Sequence, residues 1–557
     1  MSRAYIQTLL SLALVTVLAA CGGGGDGSGS PAPAPGPDGG TGNPPPVEAG
    51  FTLALSTDRT LVLQGNTATV TATVTRSGGF DGAVEVALSQ LPEGVTANTA
   101  VIASGATSGS ITLSALGTAP HSLPTTALVN GRVQEKTVTK PLSVTVGGPP
   151  GAMDTSFIGG RITTQVGTGE DYANAVVVQP DGKLIVAGSS ALNTGTVVSL
   201  VRYGRDGELD ITFGTGGKVT TAIGASNDVA TALTLQPDGR IIVVGRADMG
   251  GDSTGYDFAV LRYNADGSPD ISFGSNGKVV TDFHGGADVA HAVVLQPDGK
   301  IVVGGESMVA ANTTGVDFAL ARYNSDGTLD AGFGSGGKLT TAMKSAAGSD
   351  VIRALGLQTV NAETRILAVG GDGDFLAARY TADGALDAGF AAAGKLVGVF
   401  NSNVGAANAV TVLPDGKAVL AGHRNHDFAM VQLLADGSLD AGFATAGKAV
   451  YPISTSNWDE ATAVVRQADG KLIVGGWVYT SGSSGDFAVQ RYAADGLPDD
   501  GFGEHSVVIL PMAQGKLNDL AHGLVLQADE RVPTVRAIQA GEANGSNHDF
   551  AITRYWL

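Results

Sequence analysis

HAVVLQPDGKIVVGG, residues 291–305, decides the fold. Alternating apolar residues run into Gln-Pro-Asp-Gly and resume after it, which reads as a strand, a tight turn and a second strand. Pro presets φ for the turn, and Gly takes the positive φ that ends it. Nearly the same text recurs as NAVVVQPDGKLIVAG (174–188), TALTLQPDGRIIVVG (231–245) and TAVVRQADGKLIVGG (462–476). A hairpin that returns at a near-constant interval is the signature of a repeat architecture.

The unit around each hairpin is long. A Leu-Asp-x-x-Phe-Gly-like cluster places Phe at Phe157, Phe213, Phe273, Phe333, Phe390, Phe443 and Phe502, at intervals of 56, 60, 60, 57, 53 and 59 residues. Each unit offers four strands: A and B from the hairpin, C from text such as DFALARY (317–323), and D after a Gly-Lys, as in GKVVTDF (277–283). One four-stranded sheet cannot cover both of its faces, whereas sheets set radially cover one another. Hairpins beginning near Ala173, Ala230, Ala290, Ile352, Ala407, Ala461 and Ala521 count seven. The first D-like segment, Gly160 to Val166, precedes every hairpin, and the last C strand ends the chain. Pairing these two closes the ring and removes two sheet edges. The expectation is an all-β chain whose residues 153–557 form a seven-bladed β-propeller of four-stranded blades. The Phe, Leu-Asp and Pro-Asp-Gly pattern resembles the bacterial delta-60 repeat, which implies the same propeller and carries no agreed activity. On this reading the Phe series is inter-blade core, Arg322 is an ion-pair or stacking partner, and Asp181, Asp238 and Asp298 serve turns.

Ahead of the repeats, residues 51–147 alternate as short strands separated by turn residues (FTLALS, TATVTATVTR, SGSITLSAL). They resemble the cysteine-free Ig-like modules of bacterial surface proteins, which implies a β-sandwich spacer. His121, in a Pro-flanked loop there, reads as solvated. The N-terminus carries Arg3 and an apolar run from Ile6 to Ala20, too short to span a bilayer and suited to a signal peptide, residues 1–20. Leu18-Ala19-Ala20-Cys21 resembles the lipobox of bacterial lipoproteins, which implies cleavage before Cys21, the single cysteine, and acylation of its thiol, palmitate included. Gly22 in place of Asp implies the outer membrane, periplasmic or cell-surface facing. Residues 21–50, Gly- and Pro-rich, read as a disordered tether.

The net charge of −19 offers no basic surface for phosphates and excludes nucleic acid as the expected partner. The membrane, through the lipid on Cys21, and an unidentified protein or glycan are the partners expected. In a propeller the A–B and C–D turns share one face, here nearly uniform, while the B–C and D–A connections share the other, here variable. Variable loops on a fixed scaffold are where binding resides. On that face the aligned strand-A starts hold Asp171, Asp228, Asp288, Asp350, Asp459 and Asp519, with Gly405 in the fifth unit. Three residues on, the position is polar every time: Asn174, Thr231, His291, Arg353, Asn408, Thr462 and His522. Both sets are candidates for the channel mouth. The six carboxylates either hold a hard cation, calcium being the one considered, or cap their own turns. Trp458 and Trp477 lie on the same face and suit a sugar ring or a protein hot spot. His423 and His426, in a short loop, lack the further ligands zinc requires.

A non-catalytic binding lipoprotein is the leading reading. An extracytoplasmic polysaccharide hydrolase or lyase, drawing on Asp459, Glu460, His291 and His522, and a purely structural scaffold are the alternatives. A fold does not choose among them.

Overall fold

The computed structural model describes residues 48–557 apart from 251–254, 309–314, 345–347, 372, 402–403, 455–457, 481–484, 514–517 and 546. Cys21 and the signal and tether segments lie outside the described residues, except for the tether's last three positions. Among the described residues no helix is long and apolar enough to cross a membrane.

Two units of sheet account for the strands of the described residues. In the first, Gly50–Leu55, Thr67–Ser77, Ser108–Ala115 and Val95–Ala97 form one sheet in that order. Arg59–Leu63, Lys136–Gly147, Thr125–Val133, Val84–Ser89 and Ala100–Ile102 form the second. Their inward residues, among them Val70, Val74, Val86, Ile111, Leu113, Val129 and Val144, make one buried core, as alternation along each strand requires.

The second unit holds seven four-stranded sheets, each ordered A-B-C-D. In sheet 1 these are Asp171–Val178, Leu184–Leu192, Gly195–Tyr203 and Lys218–Thr221. The A strands of sheets 2 to 7 are Val229–Leu235, Asp288–Leu295, Ile352–Val360, Gly405–Val412, Asp459–Arg466 and Leu520–Ala528. Each A strand packs against the next, and the seventh packs against the first, so the A strands line a closed ring. In sheet 7 the D strand is Arg161–Thr164, paired antiparallel with the C-terminal strand His548–Trp556. The two ends of the unit thus share a sheet.

B and C strands are almost wholly buried; along Ile301–Met308 of sheet 3 only Glu306 and Met308 reach solvent. That follows from cover on both faces and explains why these strands are continuous apolar runs. In the Gln-Pro-Asp-Gly turn Gly182 has φ 84°, and Asp181 Oδ1 accepts from the Lys183 N–H at 3.1 Å. Asp238 and Asp298 make the same bond to Arg240 and Lys300, each at 3.1 Å. Sheet 4 replaces the turn with Asn361 and Ala362 at φ 52° and 65°, the doubly positive geometry of a two-residue hairpin.

The A–B/C–D side is fastened by a repeated lock. Arg202, Arg262, Arg322, Arg379, Arg491 and Arg554 lie over Phe213, Phe273, Phe333, Phe390, Phe502 and Phe157, 4.5–4.8 Å from the ring centroids. The same guanidinium groups pair with Asp210, Asp270, Asp330, Asp387, Asp499 and Asp154. Arg322 is therefore both ion-pair and stacking partner. Sheet 5 has Gln432 at this position.

His121 departs from its expectation. It is partly buried, its Nδ1 accepts from the Thr155 N–H at 3.2 Å, and Trp556 Nε1 lies 3.4 Å away. The loop is not merely solvated; it is where the sandwich meets the ring.

Candidate functional site

The polar position three residues into each A strand has a structural cause. Register between A and B shifts at Ala173/Ala175, Ala230/Ala232, Ala290/Ala292, Ile352/Ala354, Ala407/Ala409, Ala461/Ala463 and Ala521/Gly523. The residue skipped at each bulge is Asn174, Thr231, His291, Arg353, Asn408, Thr462 or His522. A bulge leaves one residue unpaired and re-aims its side chain, so an apolar residue there gains little. Four of them tie one sheet to the next. Asn174 Nδ2 donates to Ala230 O at 2.7 Å, Thr231 Oγ1 to Ala290 O at 2.7 Å, Asn408 Nδ2 to Ala461 O at 2.9 Å, and Thr462 Oγ1 to Ala521 O at 2.9 Å.

His291, Arg353 and His522 make no such tie. His291 Nε2 is 3.6 Å from Glu306, and His522 Nε2 is 2.9 Å from Glu542. Burial pushes the His522 imidazole down, and the Glu542 and Glu460 carboxylates more than reverse it, so its pKa is raised. Glu460 also accepts from Asn408 Nδ2 at 2.9 Å and faces His423 at 3.7 Å. His423 is shifted down by burial, against Glu460 and with Arg353 and His426. Glu460 thus relates to groups of sheets 5 and 7 as well as its own.

The six strand-A aspartates are nearly or fully buried, at most 2% exposed. Each accepts backbone N–H groups of the preceding D–A connection. Asp171 takes Val166 and Gly167, Asp228 takes Ile223 and Gly224, and Asp288 takes Phe283. Asp350 takes Met343 and Lys344, Asp459 takes Ile453 and Ser454, and Asp519 takes Met512 and Ala513. The carboxylates cap their loops, one per junction, and no three of the six converge on a common ligand position. Of the two readings of this column, a cation-holding ring or loop capping, the hydrogen bonds follow the second.

The fifth junction shows how strictly the cap is required. Where strand A has Gly405, the loop N–H groups of Phe400 and Asn401 bond instead to Asp374, at 2.8–3.1 Å. Asp374 comes from the start of strand C in sheet 4. That position forms a second acidic series, missed in the sequence: Asp257, Asp317, Asp427 and Asp549 stand beside strand-A aspartates. Asp288 is pushed up to about 6, by burial first and by the charges of Asp282 and Asp257, against the nearby Ser307 hydroxyl and the Phe283 N–H. Asp317, Asp427 and Asp549 are also raised, burial being the main cause. The signal was legible in the repeated Asp-Phe that opens strand C.

On the same side of the ring, sheets 5 and 6 carry an aromatic cluster. His426 meets Trp458 at 4.0 Å between ring centroids, tilted by 51°, Trp458 lies 6.4 Å from Trp477, and Trp477 lies 5.3 Å from Tyr479. Trp458 is 43% exposed and Trp477 half-buried. His423 and His426 point to different neighbours, Glu460 and Trp458, and form no zinc set. A separate groove of about 810 Å³, lined by Pro149, Pro452, Asp500, Glu504 and His505, lies where the linker meets sheet 6.

Ring-closing sheets of this repeat define a β-propeller repeat protein. Residues 179–213, 236–273, 296–333, 365–390, 413–443 and 467–502 match the model of a domain of unknown function, the DUF5122 beta-propeller. No curated protein matches the chain. Among solved structures, the tail fiber of Staphylococcus aureus phage P68 is 10% identical, with 48% of this chain and 50% of that chain covered and a TM-score of 0.25. The surface layer protein SbsC, domains 4–9, is 11% identical over 92% of this chain and 82% of that one, at a TM-score of 0.15. The chain spans half the length of the tail fiber it matches.

Proposed function

We propose that the chain is an outer-membrane lipoprotein, acylated at Cys21, in which a Gly/Pro tether and an Ig-like module hold out a seven-bladed propeller for binding a protein or cell-envelope glycan. The reading is carried by the aromatic cluster of His426, Trp458, Trp477 and Tyr479. Tryptophan left 43% exposed beside a half-buried second one presents flat apolar area on the side where loops vary. Sugar rings and protein hot spots both use such faces. Glu460, 20% exposed at its side chain, supplies a nearby acceptor.

The full chain, assayed against envelope glycans and against outer-membrane proteins, is expected to lose affinity at least about tenfold on Trp458→Ala. Unchanged binding in Trp458→Ala and Trp477→Ala refutes this placement. Retention in the outer membrane and its loss in Cys21→Ser test the anchor. The second reading, a polysaccharide hydrolase or lyase, draws on His522 set 2.9 Å from Glu542. Release of new reducing ends from a bound glycan, abolished by Glu542→Gln, would favour it. Absence of both binding and cleavage leaves the scaffold.

A further inference from the structure

The junction between sheets 2 and 3 departs from the other six. Asp257 opens strand C of sheet 2, Asp282 follows its D strand, and Asp288 opens strand A of sheet 3. One carboxylate oxygen from each lies within 4.8 Å of the other two. Among the described residues no other three His, Cys, Asp or Glu side chains come so close.

Repetition accounts for two of the three. The cap explains Asp288, and the strand-C series explains Asp257. Asp282 has no counterpart. Its position is marked at five junctions by the lysine of the next D strand, which donates to the carbonyl there. Lys218 bonds Gln165, Lys278 bonds Ala222, Lys338 bonds Asp282, Lys395 bonds Ala342 and Lys448 bonds Val399. Only one of these five positions carries an acid. A third carboxylate beside two others is unfavourable unless positive charge joins it. Lys338 is committed to the Asp282 backbone carbonyl at 2.7 Å, and His284 follows Phe283 in the same loop.

A second, independent feature points to a ligand. Asp288 is 0% exposed, its Oδ2 accepts from the Phe283 N–H, and its Oδ1 has no hydrogen-bond donor. Ser307, its register partner across the A–B pair and also 0% exposed, sets its hydroxyl beside this carboxylate without completing a well-formed hydrogen bond to it. Buried polar atoms are costly to leave bare unless something satisfies them. Unpartnered Oδ1 atoms recur at Asp350 and Asp459, where no third acid stands nearby.

We propose that Asp257, Asp282 and Asp288, with the Ser307 hydroxyl adjacent, form a calcium site that pins sheet 2 to sheet 3. The donors are all oxygen, which suits a hard cation and not zinc. Calcium accepts carboxylates in flexible geometry and shares its shell with water, whereas magnesium demands a near-ideal octahedron, which three acids from two different sheets and a loop are less suited to supply. Asp282 is exposed, so the site opens to solvent on the loop side and water completes the shell. The inference is independent of the aromatic cluster and of any glycan.

The test is calorimetric titration of the full chain, stripped with chelator, with calcium chloride. One site per chain is expected, weakened at least about tenfold in Asp282→Asn. Asp282 makes no fold contact that Asn cannot keep. The chelator-treated variant should therefore melt no lower than the chelator-treated wild type, while calcium raises only the wild type appreciably. No binding to the wild type up to about 1 mM calcium overturns the proposal. So does calcium binding undiminished in both Asp282→Asn and Asp257→Asn.

Discussion

Asp374 tests whether the aspartates between sheets serve the fold. It is 5% exposed and accepts the N–H groups of Phe375 at 2.7 Å, Phe400 at 3.0 Å and Asn401 at 2.8 Å. The last two belong to the D–A connection that every other junction caps from strand A. Hydrogen bonds to a charged acceptor contribute about 1.5–3 kcal/mol each. The loop is partly exposed and water replaces some of this, so Asp374→Ala should cost about 2–4 kcal/mol locally. Amide exchange at Phe400 and Asn401 should then accelerate roughly 30- to 1,000-fold. Placing Asp at Gly405 in that background restores the arrangement of the other junctions and should recover part of the protection. Recovery is incomplete because a Cβ at Gly405 would stand 2.9 Å from the His423 carbonyl oxygen. Exchange at Phe400 and Asn401 that stays slow in Asp374→Ala would refute the capping argument.

Three further outcomes follow from the same contacts. Asp154 accepts from Arg554 at 2.7 Å and Arg536 at 3.3 Å, all three at most 1% exposed at the side chain. Asp154→Asn leaves two guanidinium groups short of buried charge and should lower unfolding free energy by about 3–5 kcal/mol in urea titration followed at Trp556. Asp238→Asn, at the exposed Arg240 pair, should change it by less than about 1 kcal/mol, and equal losses would refute the distinction. Burial pushes Asp529 up, but Arg531 and Arg536 outweigh it and hold its carboxyl down to about 2. A depressed carboxyl contributes stability in full above its unfolded pKa near 3.9, lost as pH falls toward 2. The stability gap between wild type and Asp529→Asn should therefore shrink by roughly 2 kcal/mol across that window; a pH-independent gap contradicts it. Finally, His121→Ala removes the acceptor for the Thr155 N–H and the edge contact to Trp556 at 5.8 Å, and should speed protease cleavage of 148–153 about fivefold.

The strand count and the ring-closing partner of His548–Trp556 were legible because each rests on period and alternation, which a chain states locally. The bulges were not. Nothing in Ala-Asn-Ala or Ala-His-Ala announces a skipped register, and the polar residue there looked like a ligand before the strand pairing explained it. The loop caps were half legible. The aspartate column was visible, but its burial depends on how tightly the D–A connection folds over it. Asp374 could not be matched to the gap at Gly405 from one sequence, because the substitute sits on a different strand of a different sheet. His121 was misread for a related reason: its partner, Trp556, is 435 residues away.

Repetition and departure therefore carry opposite information in this chain. Asp181, Asp228, Arg322 and Phe333 recur because each sheet needs the same turn, cap or stack, and their polarity is spent on backbone groups and one another. Asp282, Trp458 and Trp477 answer to no repeat. A residue that stands outside the period in a sheet whose neighbours manage without it is not explained by the sheet. In a fold built of seven like sheets, function has to be sought where the copies disagree. The disagreement concentrates on the B–C/D–A side, at the acidic junction of sheets 2 and 3 and the aromatic cluster of sheets 5 and 6. The locks formed by Arg262 and Arg491 hold the opposite side of these sheets. Each locus can therefore be altered at an exposed side chain, Asp282 or Trp458, without touching the interactions that close the ring.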